Sequence, residues 1–143
     1  MKERKTMPFD KNFVPALRFA VMSDIHIDDE DCIEEQRFAK ALDDLKNLCS
    51  SDERYSGFDA LVIVGDFASR GSEIQMRKVK KILDAGLSAD IRLIMTMASH
   101  EYMTDGEENA LRRFDEIFGL TPDTHAVING FDFIAVTTTR GCH

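Results

Sequence analysis

Leu61-Val62-Ile63-Val64-Gly65-Asp66 is the stretch on which the fold turns. Four apolar residues, three of them β-branched, are too few for a helix and stop at a glycine, so they predict a strand followed at once by a carboxylate. A helix signal comes six residues later. Ser72 and Gln75 spell an S-x-x-Q capping box, Met76, Val79, Ile82 and Leu83 supply an apolar stripe, and Gly86 stands where a C-terminal glycine closes a helix. Upstream, Leu17 to Met22 (LRFAVM) reads as a buried strand. Phe38, Ala41, Leu42, Leu45, Leu48 and Cys49 then recur at the helical spacing. Downstream, Ile91 to Met97 (IRLIMTM) is a third strand. A third helix is predicted from Thr104, whose T-x-x-E pairing with Glu107 is a second capping box; its face is Ala110, Leu111, Phe114, Ile117 and Phe118, and Gly119 and Pro122 stop it. The pattern then changes: Ala126 to Ile128 and Phe131 to Val136 flank Asn129-Gly130, a turn pair that accepts positive φ at both positions. The prediction is α/β, with parallel strands near 17–23, 60–65 and 91–97, flanking helices, and a C-terminal hairpin near 125–137.

Each early strand ends in polar residues: Ser23-Asp24-Ile25-His26, Gly65-Asp66, and Ala98-Ser99-His100-Glu101. Parallel strands joined by helical crossovers point the same way, and neighbours lie only ~4.8 Å apart, so these ends share one edge of the sheet. Open α/β sheets bind ligands in that crevice. A lone Asp after a strand is usually a turn former or a helix cap. Three such positions in register are a different matter. Asp24 and His26, two residues apart, can face one cation, and the two oxygens of Asp66 suit a bridge between two. Mixed carboxylate and imidazole donors favour Mn, Fe or Zn over calcium.

Composition bounds the rest. A chain of 143 residues, 43% hydrophobic and 31% charged, suits one α/β or α+β domain, and a formal charge of −8 argues against a nucleic-acid or anionic-membrane surface. Three cysteines (Cys32, Cys49, Cys142) make no metal or redox spacing, and no apolar run nears the ~20 residues of a membrane span. With no leader-like start, the expected location is cytoplasmic. Residues 1–16, with four basic residues and two prolines, read as an exposed arm. The run Asp28-Asp29-Glu30-Asp31 is expected to be a solvated loop placing negative charge at a helix N-terminus. It could imitate a calcium loop begun at Asp24, but Asp29 stands at the sixth position, where such a loop has glycine. Arg77, Lys78, Lys80 and Lys81 are expected to be the polar face of their helix, and Cys142 and His143 are not expected to be ligands.

At the three strand ends the sequence resembles the calcineurin-like metallophosphoesterase superfamily, whose members read D-x-H, G-D-x-x and G-N-H-D/E after successive strands. Here these stand as Asp24-Ile25-His26, Gly65-Asp66-Phe67-Ala68 with Arg70-Gly71 beyond, and Ala98-Ser99-His100-Glu101. The resemblance runs from about residue 17 to the end and implies half of a four-layer sandwich. It implies that Asp24 and His26 hold a first metal, that Asp66 bridges to a second, and that His100 is catalytic, protonating the leaving oxygen or orienting the phosphate. Ser99 replaces the family asparagine and is a weaker ligand, and Ala98 replaces glycine. The family's remaining metal histidines, including a G-H-x-H motif, lie in a second half of the domain. The expectation is therefore a truncated domain over 17–143 that holds one ion or none where the family holds two, with impaired hydrolysis of a phosphorylated substrate. An uncovered sheet face is expected to favour self-association. The rival reading is a non-catalytic regulatory or interaction module; a phospho-accepting receiver domain is disfavoured because the last strand runs into Thr137-Thr138-Thr139-Arg140, without the lysine it needs.

Overall fold

A computed structural model of the chain describes residues 13–51 and 57–138. Its elements run β1 (Phe19–Met22), α1 (Ile33–Ser51), β2 (Ala60–Val64), α2 (Glu73–Gly86), β3 (Arg92–Thr96), a 3-10 turn (Ser99–Tyr102), α3 (Glu107–Phe118), β4 (Thr124–Ile128) and β5 (Phe131–Ala135). The first three strands form one parallel sheet in the order β1-β2-β3, with Val21 beside Val62 and Val62 beside Ile94. The last two form a separate antiparallel hairpin.

Sequential strands joined by crossovers of one hand carry their helices to one face of the sheet. Phe38 and Leu42 of α1, Met76, Val79 and Leu83 of α2, and Ala110 and Phe114 of α3 form one buried cluster there with Leu61, Ile63 and Met95. Val62 and Ile94 point to the other face, where Ala126 and Ala135 of the hairpin cover them. Phe133 reaches over β1 to meet Phe19 edge-on, with ring centres 5.3 Å apart. The layers are thus helices, parallel sheet and hairpin, as in part of a metallophosphoesterase sandwich.

Most local signals are realised. Ser72 and Gln75 form the reciprocal capping box, Gly119 closes α3 in the left-handed conformation, and Asn129 and Gly130 turn the hairpin at φ 51° and 82°. Lys78 joins α2 to α1 through Glu35 at 2.7 Å, and Arg77 and Lys80 pair along their own helix with Glu73 and Asp84. The basic run is a helix face, as expected.

Three expectations need correction. The third helix starts at Glu107 rather than Thr104, because the N–H and hydroxyl of Thr104 are both taken by the Arg70 carbonyl and Gly106 makes the entry turn. Gly86 is not a left-handed cap: α2 runs through it to an extended Leu87, and a Cβ at Gly86 would lie 2.6 Å from Leu42 Cδ1. Its lack of a side chain lets α1 and α2 approach. β1 is shorter than expected and only half-buried, since Phe19 and Val21 lie on an edge strand and are 50% and 56% exposed. Residues 1–12 of the expected arm, the Cys49 side chain, Cys142 and His143 lie outside the described residues.

Candidate metal centre

Beyond the strands, the chain after β1 and the chain after β2 stay bonded to each other. His26 N–H donates to the Asp66 carbonyl at 3.0 Å, Ile27 N–H to Phe67 at 3.0 Å, and Ser69 N–H back to Ile27 at 2.9 Å. The Ser69 hydroxyl also donates to the His26 carbonyl. This stitching turns the backbone sharply. Asp24, His26 and Asp66 lie at φ 55°, 53° and 50°, and with Asn129 of the hairpin they are the positive-φ non-glycine residues among those described. Left-handed backbone is uncommon outside glycine, although Asp, Asn and His tolerate it best, and it gathers where side chains must be aimed.

The result is a tight group at the carboxyl edge of the sheet. Potential ligand atoms of His26, Asp66 and His100 all lie within 4.8 Å of one another, and each residue is half-buried. The two imidazoles meet edge-on at 4.6 Å between centres. The main-chain N–H of His100 donates to Asp66 Oδ1 at 3.2 Å. His100 Nδ1 lies 2.7 Å from the Ser69 carbonyl, which only accepts, so Nδ1 carries the proton and Nε2 is left to exchange one.

Asp24 is less closely held. Its carboxylate is 68% exposed and meets the cluster only through His26 Nε2, at 4.0 Å. Ser99 begins the 3-10 turn beside His100 and is half-buried. Outward of Asp24 and His26, an open groove of about 590 Å³ runs between β1 and α1, with Phe38 on its wall and Arg37 at its side. The acidic loop stays at the surface, with Asp29 accepting from the Ser72 hydroxyl.

Two residues to which the sequence assigned no role organise this group. Ser69 acts through its carbonyl, which no side-chain pattern announces. Glu101 is fully buried and accepts three main-chain N–H groups, from Asp66 (3.0 Å), Ala68 (3.0 Å) and Ala98 (2.8 Å). Burial pushes its carboxyl up to about 7, against the pull of those three donors. Its place as the acidic residue of the third strand-end motif, Ala98-Ser99-His100-Glu101, was the available clue.

The donor set fits a transition metal: the His26 imidazole and the Asp66 carboxylate lie at the separation of one coordination sphere, with the His100 imidazole beside them and the Asp24 carboxylate at the margin. Comparison with known proteins agrees. A family model described as calcineurin-like phosphoesterase matches residues 17–141 of the 143. No curated protein matches the chain. Among the described residues, no helix is long and apolar enough to cross a membrane.

Proposed function

The chain belongs to the calcineurin-like phosphoesterase family, and from that premise we propose that its strand-end cluster is the metal-binding part of a phosphoric ester hydrolase site. Asp24 and His26 would hold a first cation, Asp66 would be shared with a second, and Ser99 would offer that second cation a weak oxygen donor. The observation that carries this reading is the convergence of His26, Asp66 and His100 within 4.8 Å at the shared edge of three parallel strands. Bound there, a divalent ion such as Mn, Fe or Zn neutralises phosphate charge and makes water a better nucleophile.

The chain's own residues do the rest. Asp66 is fixed by the His100 N–H, so its carboxylate is oriented before any ion binds. With Nδ1–H held on the Ser69 carbonyl, the His100 ring has one orientation and one exchangeable nitrogen, Nε2. Protonated there, it donates to the phosphate or to the departing oxygen. Ligand count limits the 143-residue chain. A two-metal clamp needs ligands for both ions, and among the described residues a second ion would find the Asp66 carboxylate and the weak Ser99 hydroxyl. Metal binding is therefore weak, and turnover is slow or absent.

Hydrolysis of an aryl phosphate and an aryl phosphodiester with added Mn²⁺ tests this reading, with His100→Ala alongside. The expected result is saturable Mn²⁺ binding with turnover at or near the background rate. Turnover that needs no metal, or that survives His100→Ala, contradicts it. Fast metal-dependent turnover abolished by His100→Ala shows that the second cation is held despite Ser99.

One observation favours a non-catalytic interaction module as a second reading: Val127, Ile134 and Val136 of the hairpin segment are 63%, 75% and 70% exposed. Such a module binds a partner protein equally well with Asp66→Asn, whereas the hydrolase reading makes Asp66 indispensable to metal binding.

A further inference from the structure

We propose that Glu101 is a positioning residue for the cluster, tying the backbone after β2 to the backbone after β3 and so setting the direction of the Asp66 carboxylate. The proposal rests on the hydrolase reading for what the cluster holds, but not for the tie itself.

Glu101 has no access to a reacting atom. It is fully buried, and its three partners are all main-chain N–H groups. What distinguishes them is their location. Oε2 accepts from Asp66, one residue past the glycine that ends β2, and also from Ala98, two residues past β3. One oxygen atom thus spans two strand ends. Oε1 takes the N–H of Ala68, further along the same loop. Asp66 is turned to φ 50°, and its N–H goes to this carboxylate rather than to a strand.

The packing leaves little room for another arrangement. A Cβ at Gly65 would lie 2.4 Å from Ala98 Cβ, so the two strand ends touch where Glu101 joins them. A Cβ at Gly71 would lie 1.9 Å from the Glu101 carbonyl oxygen, so the residue's backbone is pressed against the loop its side chain holds. A shift of Glu101 therefore moves the Asp66 backbone, and with it the Oδ1 that accepts the His100 N–H. The cluster members that follow β2 and β3 both depend on one buried carboxylate.

Chemistry separates the variants. Glutamine keeps one acceptor oxygen, enough for Asp66 and Ala98 together, but turns an NH₂ group toward the Ala68 N–H. Aspartate is one methylene short of the reach, and alanine leaves all three donors unpaired.

The test has two readouts on the 143-residue chain. In the metal-free protein, ¹H–¹⁵N spectra follow the amides of Asp66, Ala68 and Ala98, with Val127 and Ile134 of the hairpin as remote controls. Calorimetry then measures Mn²⁺ affinity. In Glu101→Gln the Ala68 amide alone is expected to lose its downfield shift and exchange protection, and Mn²⁺ affinity falls about tenfold, as for other residues that orient a metal ligand. In Glu101→Asp all three amides are lost and affinity falls by up to about a hundredfold, while the hairpin amides stay fixed. Glu101→Asp or Glu101→Gln with wild-type Mn²⁺ affinity overturns the proposal, and so does an Asp66 amide unchanged in both. If the wild type binds no Mn²⁺, the hydrolase reading fails, and the amide pattern still decides whether Glu101 makes the tie. Should Glu101→Ala fail to fold, the glutamine variant carries the decision.

Discussion

The His100 main-chain N–H and the Asp66 carboxylate are bonded at 3.2 Å, so the ends of β2 and β3 hold their functional groups in a fixed relation. That relation needs close contact between the two backbones. At Gly65, φ is 82°, and a Cβ would lie 2.4 Å from Ala98 Cβ. Gly65→Ala is therefore expected to cost about 1–3 kcal/mol from backbone strain and overlap and to weaken Mn²⁺ binding with it. Urea unfolding and calorimetry on the same variant check both effects; an unchanged midpoint would show that the strand ends are not in contact.

Stability should carry the mark of Glu101. Its carboxyl is raised from 4.5 to about 7 by burial. Between those values the native protein keeps a proton that the unfolded chain has released. This group's contribution is thus greatest below pH 4.5 and declines as pH rises to 7, by about 3 kcal/mol at most. Glu101→Gln cannot titrate, so the wild type should lose ground against it from pH 5 to pH 8 in urea unfolding. A difference between the two that does not vary with pH contradicts the assignment.

The hairpin offers a prediction that leaves the site alone. Gly130 sits at φ 82° with open space around it, so Gly130→Ala introduces strain without a clash. The expected cost is about 1–2 kcal/mol, read as a lower melting temperature by circular dichroism, with Mn²⁺ affinity unchanged. A coupled loss of affinity would mean that the hairpin supports the cluster.

Exposed apolar residues on β1 and at the hairpin point to association. Phe19 and Val21 on β1 and Ile134 and Val136 at the hairpin are each half-exposed or more, and surfaces of this kind are commonly buried by a partner. The 143-residue chain is expected to self-associate at high concentration, and Ile134→Lys to reduce that. Light scattering from a clean monomer, without binding of a dye for apolar surface, counts against it.

Legibility followed the range of the interactions. The strands, the Ser72–Gln75 box and the Asn129-Gly130 turn rest on neighbours within a few residues, and these were readable. Asp66 and His100 were readable as neighbours because parallel strands force their carboxyl ends to one edge. Thr104 misled because a carbonyl 34 residues away takes both of its donors. Gly86 misled because its reason is the Leu42 side chain on another helix. Ser69 acts through its carbonyl, which no pattern of side chains encodes, and the motif that marks Glu101 as acidic does not show that its carboxylate binds main-chain N–H groups of two strand ends. Asp24 was expected to face one cation together with His26, and it lies at the edge of the group, its carboxylate 68% exposed and 4.0 Å from His26 Nε2.

The central claim is that this strand-end cluster binds a divalent transition metal, and calorimetric titration of Mn²⁺ into the 143-residue chain, with Asp24→Ala and Asp66→Asn beside it, tests that most directly. Asn at position 66 keeps an oxygen for the His100 N–H while removing the charge and the second ligand atom. The account predicts one weak saturable site in the wild type, a loss of more than about tenfold in affinity for Asp66→Asn, comparable to the loss of an orienting partner or greater, and a smaller loss for the exposed Asp24→Ala. Mn²⁺ binding of equal strength in all three proteins, or none in the wild type, would contradict it.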